Sequence, residues 1–337
     1  MELFSKKQTL ILIIFLIFLM AFTLAQPTMS RSQDYRVGTW KTPQTIQPFF
    51  YEHYISSQDK VMVYSFTNPA DQKLDLLAGS LDMCGTTLAH AIHSASRREP
   101  VAVVAALCNK CSALVVGKDK SIMSVPDLKG ARIGYVPGTM HEILLRETLG
   151  RNGISPDREV KLTRVDFFDM GIALARGSID AFLSGEPFPT LAAMEGYGTI
   201  LAYPYFEDTM GTINAGMLVK KKTIKNNPGM VYELVKAHAL ATNYLVSHEK
   251  QWLDKASSFG TRIEVLEKAV KNMELAWYMD ESFVAKARSL GERMQLLGVI
   301  EKQPDYDRLF DLSFVNKVHE LMQAETALKH QGNLNGQ

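Results

Sequence analysis

The sequence predicts an α/β protein built on mostly parallel sheets and divided into two similar lobes. Three observations carry that prediction. Short apolar runs alternate with amphipathic stretches over the first two thirds of the chain, the pattern of strands joined by crossover helices. Two of those runs, VAVVAAL (101–107) and SALVVG (112–117), are apolar throughout, as expected of strands covered on both faces. A motif also recurs. LLAGSLDMCGTT and LARGSIDAFLSGE place Gly79-Ser80-Leu81-Asp82 and Gly177-Ser178-Ile179-Asp180 98 residues apart. Each copy ends an amphipathic helix, turns on glycine and opens a buried strand with aspartate. Two copies suggest paired lobes and exclude a solenoid. The length of 337 residues suits two domains.

The elements follow in order. YRVGTW and VMVYSF read as strands. Asn68-Pro69 supplies an N-cap and a first-turn proline for a helix through Leu77. LDMCGT is a strand, and Thr86 or Thr87 caps the helix LAHAIHSAS. ARIGYV leads through Pro137-Gly138-Thr139 into the helix EILLRETLG, where Thr139 and Glu142 have the spacing of a capping box. VKLTRV, SIDAFLSG and INAGMLV are further strands with helices between them. From Pro228 onward the chain reads as successive helices. His238 falls on an apolar face with Val231, Leu234, Val235 and Leu245, and reads as a packing residue. The polar residues 330–337 read as a frayed tail.

Composition narrows the function. Lys+Arg is 37 against Asp+Glu 36, a net charge of +1, which gives no support to nucleic-acid binding. The N-terminus holds a single long apolar segment, so a polytopic membrane protein is excluded. Lys6 and Lys7 precede the apolar run Leu10–Ala25, and Thr23-Leu24-Ala25 supplies small residues at a cleavage site. Residues 1–25 therefore read as a secretory signal peptide, with an uncleaved membrane anchor as the alternative. Cleavage removes Glu2, Lys6 and Lys7 and takes the net charge from +1 to 0. Export permits a local disulfide between Cys108 and Cys111, a C-x-x-C pair. Cys84 reads as a small core residue.

No catalytic set stands out: the chain has no G-x-S-x-G, no H-E-x-x-H and no Walker A motif. His90 and His93, with His141, make a weak metal candidate, and neither a metal nor another cofactor is expected. Ligands of open α/β sheets bind beyond the carboxyl ends of strands, where helix N-termini offer unpaired N–H groups. Four such junctions occur: Gly38 to Gln44, Gly85-Thr86-Thr87, Gly138-Thr139-Met140, and Ser184-Gly185-Glu186-Pro187-Phe188.

SVPDLKGARIGYVPGT (124–139) resembles a recurring feature of solute-binding proteins of ABC importers, of the nitrate/sulfonate/taurine/thiamine-pyrimidine-precursor type. RVGTWKTPQTIQPFFYEHY resembles that family's first strand and helix. GSLDMCG and GSIDAFLSGEPF resemble its two G-x-x-D turns, and INAGMLVKKKTIKNNPGMVYELVKAHALATNYL its return crossing and long helix. The resemblance covers about residues 35 to 325. It implies a type II periplasmic-binding-protein fold, with a cleft between two α/β lobes joined by two crossing strands. Lobe 1 would combine 35–114 with 217–325, and lobe 2 would be 115–216.

It also implies a monomeric, non-enzymatic periplasmic protein. Such a protein captures a small organic solute (sulfonate, taurine-like zwitterion, nitrate or pyrimidine) and passes it to an inner-membrane permease with its ATPase. By position the family's contacts fall on Trp40, Thr42, Thr86, Thr87, Gly138, Thr139, Met140, Glu186 and Asn214. Glu186 would select a positive or donor group. A Cys108–Cys111 disulfide would stiffen the hinge. Two alternatives remain: an enzyme on the same fold (desulfinase-like or pyrimidine-precursor synthase-like) with Cys84 as nucleophile, or a ligand-sensing subunit of a signalling receptor.

Overall fold

The computed structural model describes residues 33–67, 69–118 and 121–334. The expected signal peptide and the Asn68 cap lie outside the described residues. In chain order the elements are β1 (Asp34–Trp40), β2 (Lys60–Phe66), α1 (Pro69–Ala78), β3 (Met83–Thr87), α2 (Leu88–Ser96), β4 (Val101–Cys108) and β5 (Ser112–Gly117). Next come β6 (Arg132–Tyr135), α3 (Met140–Arg151), β7 (Lys161–Arg164), α4 (Met170–Ala175), β8 (Ala181–Gly185), α5 (Phe188–Met194) and β9 (Gly198–Ala202). After β10 (Ala215–Lys220) all the longer elements are helices: α6 (Lys221–Asn226), α7 (Pro228–Ser247), α8 (Glu249–Ser257), α9 (Ile263–Ala269), α10 (Glu281–Leu296), α11 (Tyr306–Leu309) and α12 (Ser313–Leu334). Among the described residues no helix is long and apolar enough to cross a membrane.

The strands form two five-stranded sheets, β2-β1-β3-β10-β4 and β7-β6-β8-β5-β9. The sheets share one plan. In the first, β1 runs parallel to β2 and β3, and β10 is antiparallel to β3 and β4. In the second, β6 runs parallel to β7 and β8, and β5 is antiparallel to β8 and β9. The chain passes from the first sheet to the second at 109–111 and returns before β10, so each sheet holds one reversed strand. This is the expected fold class, two mixed α/β sheets flanked by helices. All eight residues of β4 and all six of β5 are buried, which explains why their sequences do not alternate.

The repeated motif does the same work twice. Asp82, just before β3, accepts from the backbone N of Arg36 on β1 (2.9 Å) and from its guanidinium at Nε (3.1 Å) and Nη2 (2.7 Å). Its own N–H donates to the Arg36 carbonyl (2.8 Å). Asp180, just before β8, repeats each bond on Arg132 of β6: backbone N 2.8 Å, Nε 3.0 Å, Nη2 2.8 Å, and N–H to the Arg132 carbonyl 2.7 Å. The fork geometry is charge-assisted and directional, so it fixes where β3 meets β1 and where β8 meets β6.

Two expectations are corrected. The segment after β1 is not an α-helix but two short 3-10 turns, Pro43–Thr45 and Gln47–His53. Pro43 and Pro48 each remove a backbone donor and break the α pattern. The segment expected to fray from 330 is helical to Leu334. Once α12 is formed, each further residue adds a backbone bond without a new nucleation cost. His238 is fully buried as a packing residue. Its Nε2 donates to the Ala106 carbonyl (2.7 Å), and its Nδ1 accepts from the Tyr51 hydroxyl (2.9 Å).

Replacing Asp82 or Asp180 by Asn keeps the shape and removes the charge. Each change is expected to cost about 1–2 kcal/mol in chemical denaturation, toward the low side of a charged hydrogen bond because both arginines are partly exposed. Unequal losses, one large and one negligible, would contradict the shared role.

Candidate ligand-binding cleft

The carboxyl ends of β1, β3, β4 and β8 point at a common space, together with the amino ends of the reversed strands β5 and β10. A cavity of about 50 Å³ lies there. The first sheet contributes Trp40, Thr42, Gln44, Thr87 and Asn214 to its wall, and the second contributes His141, Ser184 and Gly185. Phe167, Phe168 and Phe188 complete the second-sheet side, and Cys108 and Cys111 line it where the chain passes between sheets.

Local chemistry places each group. Trp40 ends β1 and lies over Gly85, where a Cβ would come within 3.2 Å of the indole. Thr42 and Thr45 bond hydroxyl to hydroxyl (2.8 Å), and Thr45 also donates to the Trp40 carbonyl (3.0 Å), which shapes the turn that carries Gln44. Thr87 caps α2 by accepting from His90 N (3.3 Å). Gly185 is needed for a second close approach, because a Cβ there would stand 3.2 Å from both Gln44 Nε2 and His141 Nε2.

His141 is held by a relay. Asn214 Nδ2 donates to Ser112 Oγ (3.2 Å), and that hydroxyl bonds His141 Nδ1 (3.1 Å). With Ser112 as donor the imidazole proton sits on Nε2. Burial pushes His141 down to about 4, so it is neutral. Its ring meets Phe167 edge-on at 5.3 Å, and Phe168 meets Phe188 likewise at 5.4 Å. None of the residues lining the cavity is Lys, Arg, Asp or Glu. Three polar atoms of lining residues have no partner: Trp40 Nε1, Gln44 Oε1 and Ser184 Oγ.

Of the nine expected contacts, Trp40, Thr42, Thr87 and Asn214 line the cavity, and Thr86, Gly138, Thr139, Met140 and Glu186 are not among its lining residues. Thr86 precedes Thr87 on an extended strand, so its side chain faces the opposite way. Thr139 is engaged as the cap of α3, accepting from Glu142 N (3.4 Å) and donating to the Val136 carbonyl (2.8 Å). Gly138 N donates to the Glu142 carboxylate (2.6 Å), and Met140 is core.

Glu186 is fully buried, with Oε2 accepting from Thr190 N (3.2 Å) and Oε1 from Asn272 Nδ2 (3.2 Å). Burial raises its pKa against those two bonds. Its carboxylate ties the end of β8 to the helical C-terminal region and is not part of the cavity's lining. Cys108 and Cys111 are free thiols, not the expected disulfide. Both are buried, and a hydrogen bond with Cys111 followed by burial holds the Cys108 thiol well above its usual range. Disulfide formation starts from a thiolate, which this setting disfavours.

Gln44, Ser184 and the three phenylalanines were not picked out from the sequence as contacts, and His141 stood there only as a weak metal candidate. Gln44, Ser184 and Phe188 belong to junctions that were, and His141 directly follows another. Phe167 and Phe168 sit on a 3-10 turn with no sequence signal.

The two-sheet architecture, with a cavity at the strand ends between them, is the periplasmic-binding-protein fold. The chain belongs to the NMT1/THI5-like family, whose model matches residues 60–251. It is similar to the bicarbonate transport ATP-binding protein CmpC of Synechocystis sp., 39% identical over 66 residues, which are 20% of this chain and 10% of that protein. It is also similar to the nitrate/nitrite binding protein NrtA of Nostoc sp., 25% identical over 144 residues, 42% of this chain and 30% of that one. The matches thus span less than a third of these relatives' lengths. The solved alkanesulfonate-binding protein SsuA from Xanthomonas axonopodis pv. citri aligns with a TM-score of 0.73 at 16% identity, over 82% of this chain and 98% of that one. At that identity the likeness is one of fold.

Acid should unfold the protein by a defined route. Burial lowers His90, His141 and His238 to about 4. Their folded pKa values lie below the unfolded value near 6.5, so their stability is fully present above pH 6.5 and lost as pH falls toward 4. Each withdraws up to about 3 kcal/mol over that window. Denaturation at pH 7.5, 5.5 and 4 checks this, and constant stability across the range would contradict it.

Proposed function

We propose that the protein captures a small organic solute between two lobes and delivers it to an ABC importer. The observation that carries the reading is the small cavity between the two sheets, at the point where both crossings of the chain meet. In this reading lobe 1 is 35–114 with 217–325 and lobe 2 is 115–216. Trp40, Thr42 and Thr87 contact the solute from lobe 1, and His141, Ser184 and Asn214 contact it from lobe 2.

Closure of lobes is hinge motion driven by a ligand that prefers the closed state. Contacts between the two halves support this. Glu147 on α3 is 3% exposed and accepts both from Arg151 (2.7 Å) and from Arg293 on α10 (2.8 Å). The Glu186–Asn272 bond and the Ser112–Asn214 bond also join the second sheet to segments of the first half. Opening would expose a buried carboxylate to water and break its Arg293 bond, so the closed state has its own stabilising contacts.

Export through the N-terminal segment, a periplasmic location, a monomeric state and docking to a permease with its ATPase complete the proposal. The named functions of the bicarbonate- and nitrate-transport relatives support it. A signalling role for the same closed state would show as docking to a receptor in place of a permease.

The enzyme alternative rests on Cys84, and its surroundings disfavour it. Cys84 is fully buried inside the β1–β3 pair, its thiol is pushed up to about 12 by burial, and it does not line the cavity.

Native mass spectrometry of the exported, gently purified protein tests the reading. A retained small solute, released on denaturation, is the expected result. An empty protein that also fails to shift its melting temperature with any solute in a broad panel would overturn it.

A further inference from the structure

The cavity is walled off from solvent on nearly every side. Twelve of its fifteen lining residues are buried. The other three are Phe167, Phe168 and Phe188, all on the second-sheet side. Phe167 and Phe188 are half-buried, and Phe168 is 38% exposed. Phe168 therefore touches both the cavity and bulk water, and it marks the place where the closed cavity meets the surface.

The segment that carries this ring is lightly held. Phe167–Asp169 is a 3-10 turn with no buried residue, and Asp166 before it makes no side-chain cap. The helix that follows, α4, has six residues. The strands behind the other walls, β3, β4, β5 and β8, are buried throughout. Segments with few buried contacts open locally at low free energy, so this wall yields before the others.

Two routes into the cavity then differ in what they must break. Swinging Phe168 aside gives up its edge-on contact with Phe188, 5.4 Å between centroids. Parting the halves breaks the Arg293–Glu147 and Asn272–Glu186 bonds, both made to buried carboxylates. An exposed side chain changes rotamer within nanoseconds, whereas collective motion of lobes takes microseconds to milliseconds.

We propose that Phe168, closing against Phe188, is a side gate of the cavity, through which small molecules pass while the two sheets stay together. Phe168 then sets a size limit on entry, ahead of any selection by the polar groups of the wall. As a route for the solute, the gate rests on the solute-binding reading; as a route into the cavity it stands on the geometry alone.

Cys108 and Cys111 line the cavity and Cys84 does not, so thiol labelling reads the route without any solute. The full chain is labelled at mildly alkaline pH with iodoacetamide or with the much larger fluorescein maleimide, and each cysteine is followed by peptide mapping. Phe168→Ala should speed iodoacetamide labelling of the cavity thiols about fivefold, the equivalent of one lost ring contact. The maleimide should gain more, because the variant relaxes the size limit. Phe168→Trp should slow both reagents. Arg293→Gln, which loosens the contact between the halves, should leave the iodoacetamide rate near that of the parent, and Cys84 should stay slow in every variant. No acceleration in Phe168→Ala, or an equal acceleration in Arg293→Gln, assigns entry to parting of the lobes and overturns the gate. Cys84 labelling in step with the cavity thiols means global unfolding and overturns it too. The solute-binding reading fails separately, through an empty protein in native mass spectrometry, and that result would leave the labelling rates as they are.

Discussion

The architecture depends on one interaction used twice, an aspartate at the start of a strand clamped onto an arginine near the start of its parallel neighbour. Arg36–Asp82 and Arg132–Asp180 each combine a forked ion pair with two backbone bonds. A forked pair that also engages the backbone has one geometry, so it selects register as well as adding stability. Register decides which strand ends come together. β3 and β8, set in place by these clamps, end at Thr87 and at Ser184-Gly185, and these residues are walls of the cavity. The link runs from a four-residue sequence motif, through strand pairing, to the site.

The cavity contrasts with its surroundings. Charged groups near it are consumed by structure: Glu142 by Arg146 and Gly138, Glu147 by Arg151 and Arg293, and Glu186 by Asn272 and Thr190. These bonds neutralise the helix ends and the contacts between halves, and leave a lining of rings, thiols, hydroxyls and amides. Burial keeps the three inner histidines neutral, so no imidazole adds a charge to the interior at neutral pH. A low-dielectric wall strengthens every hydrogen bond made inside it and penalises each one missed. Selectivity then comes from a few placed polar atoms more than from attraction.

The sequence made the strands, the paired lobes and the junctions legible, because hydrophobic period and the spacing of glycine and aspartate are local properties. The wall of the cavity was legible only in part. Three of the four junctions supply lining residues and His141 directly follows the fourth, yet within them the direction of a side chain decides, and that depends on the turn. Thr87 faces in and Thr86 does not, for reasons of strand alternation. Glu186 looked like a ligand group because its partner, Asn272, lies 86 residues away. Separations of 46 and 48 residues likewise hid the arginine partners of Asp82 and Asp180. The expected helix after β1 gave way to two 3-10 turns at Pro43 and Pro48, and those turns carry Gln44 into the wall.

A crystal structure of the protein with the solute it retains through purification tests the central claim most directly. The account predicts a small solute in the cavity between the two sheets, in contact with Trp40, Thr87, Asn214, His141 and Ser184, with the two sheets closed around it. A solute bound elsewhere with that space empty would contradict it.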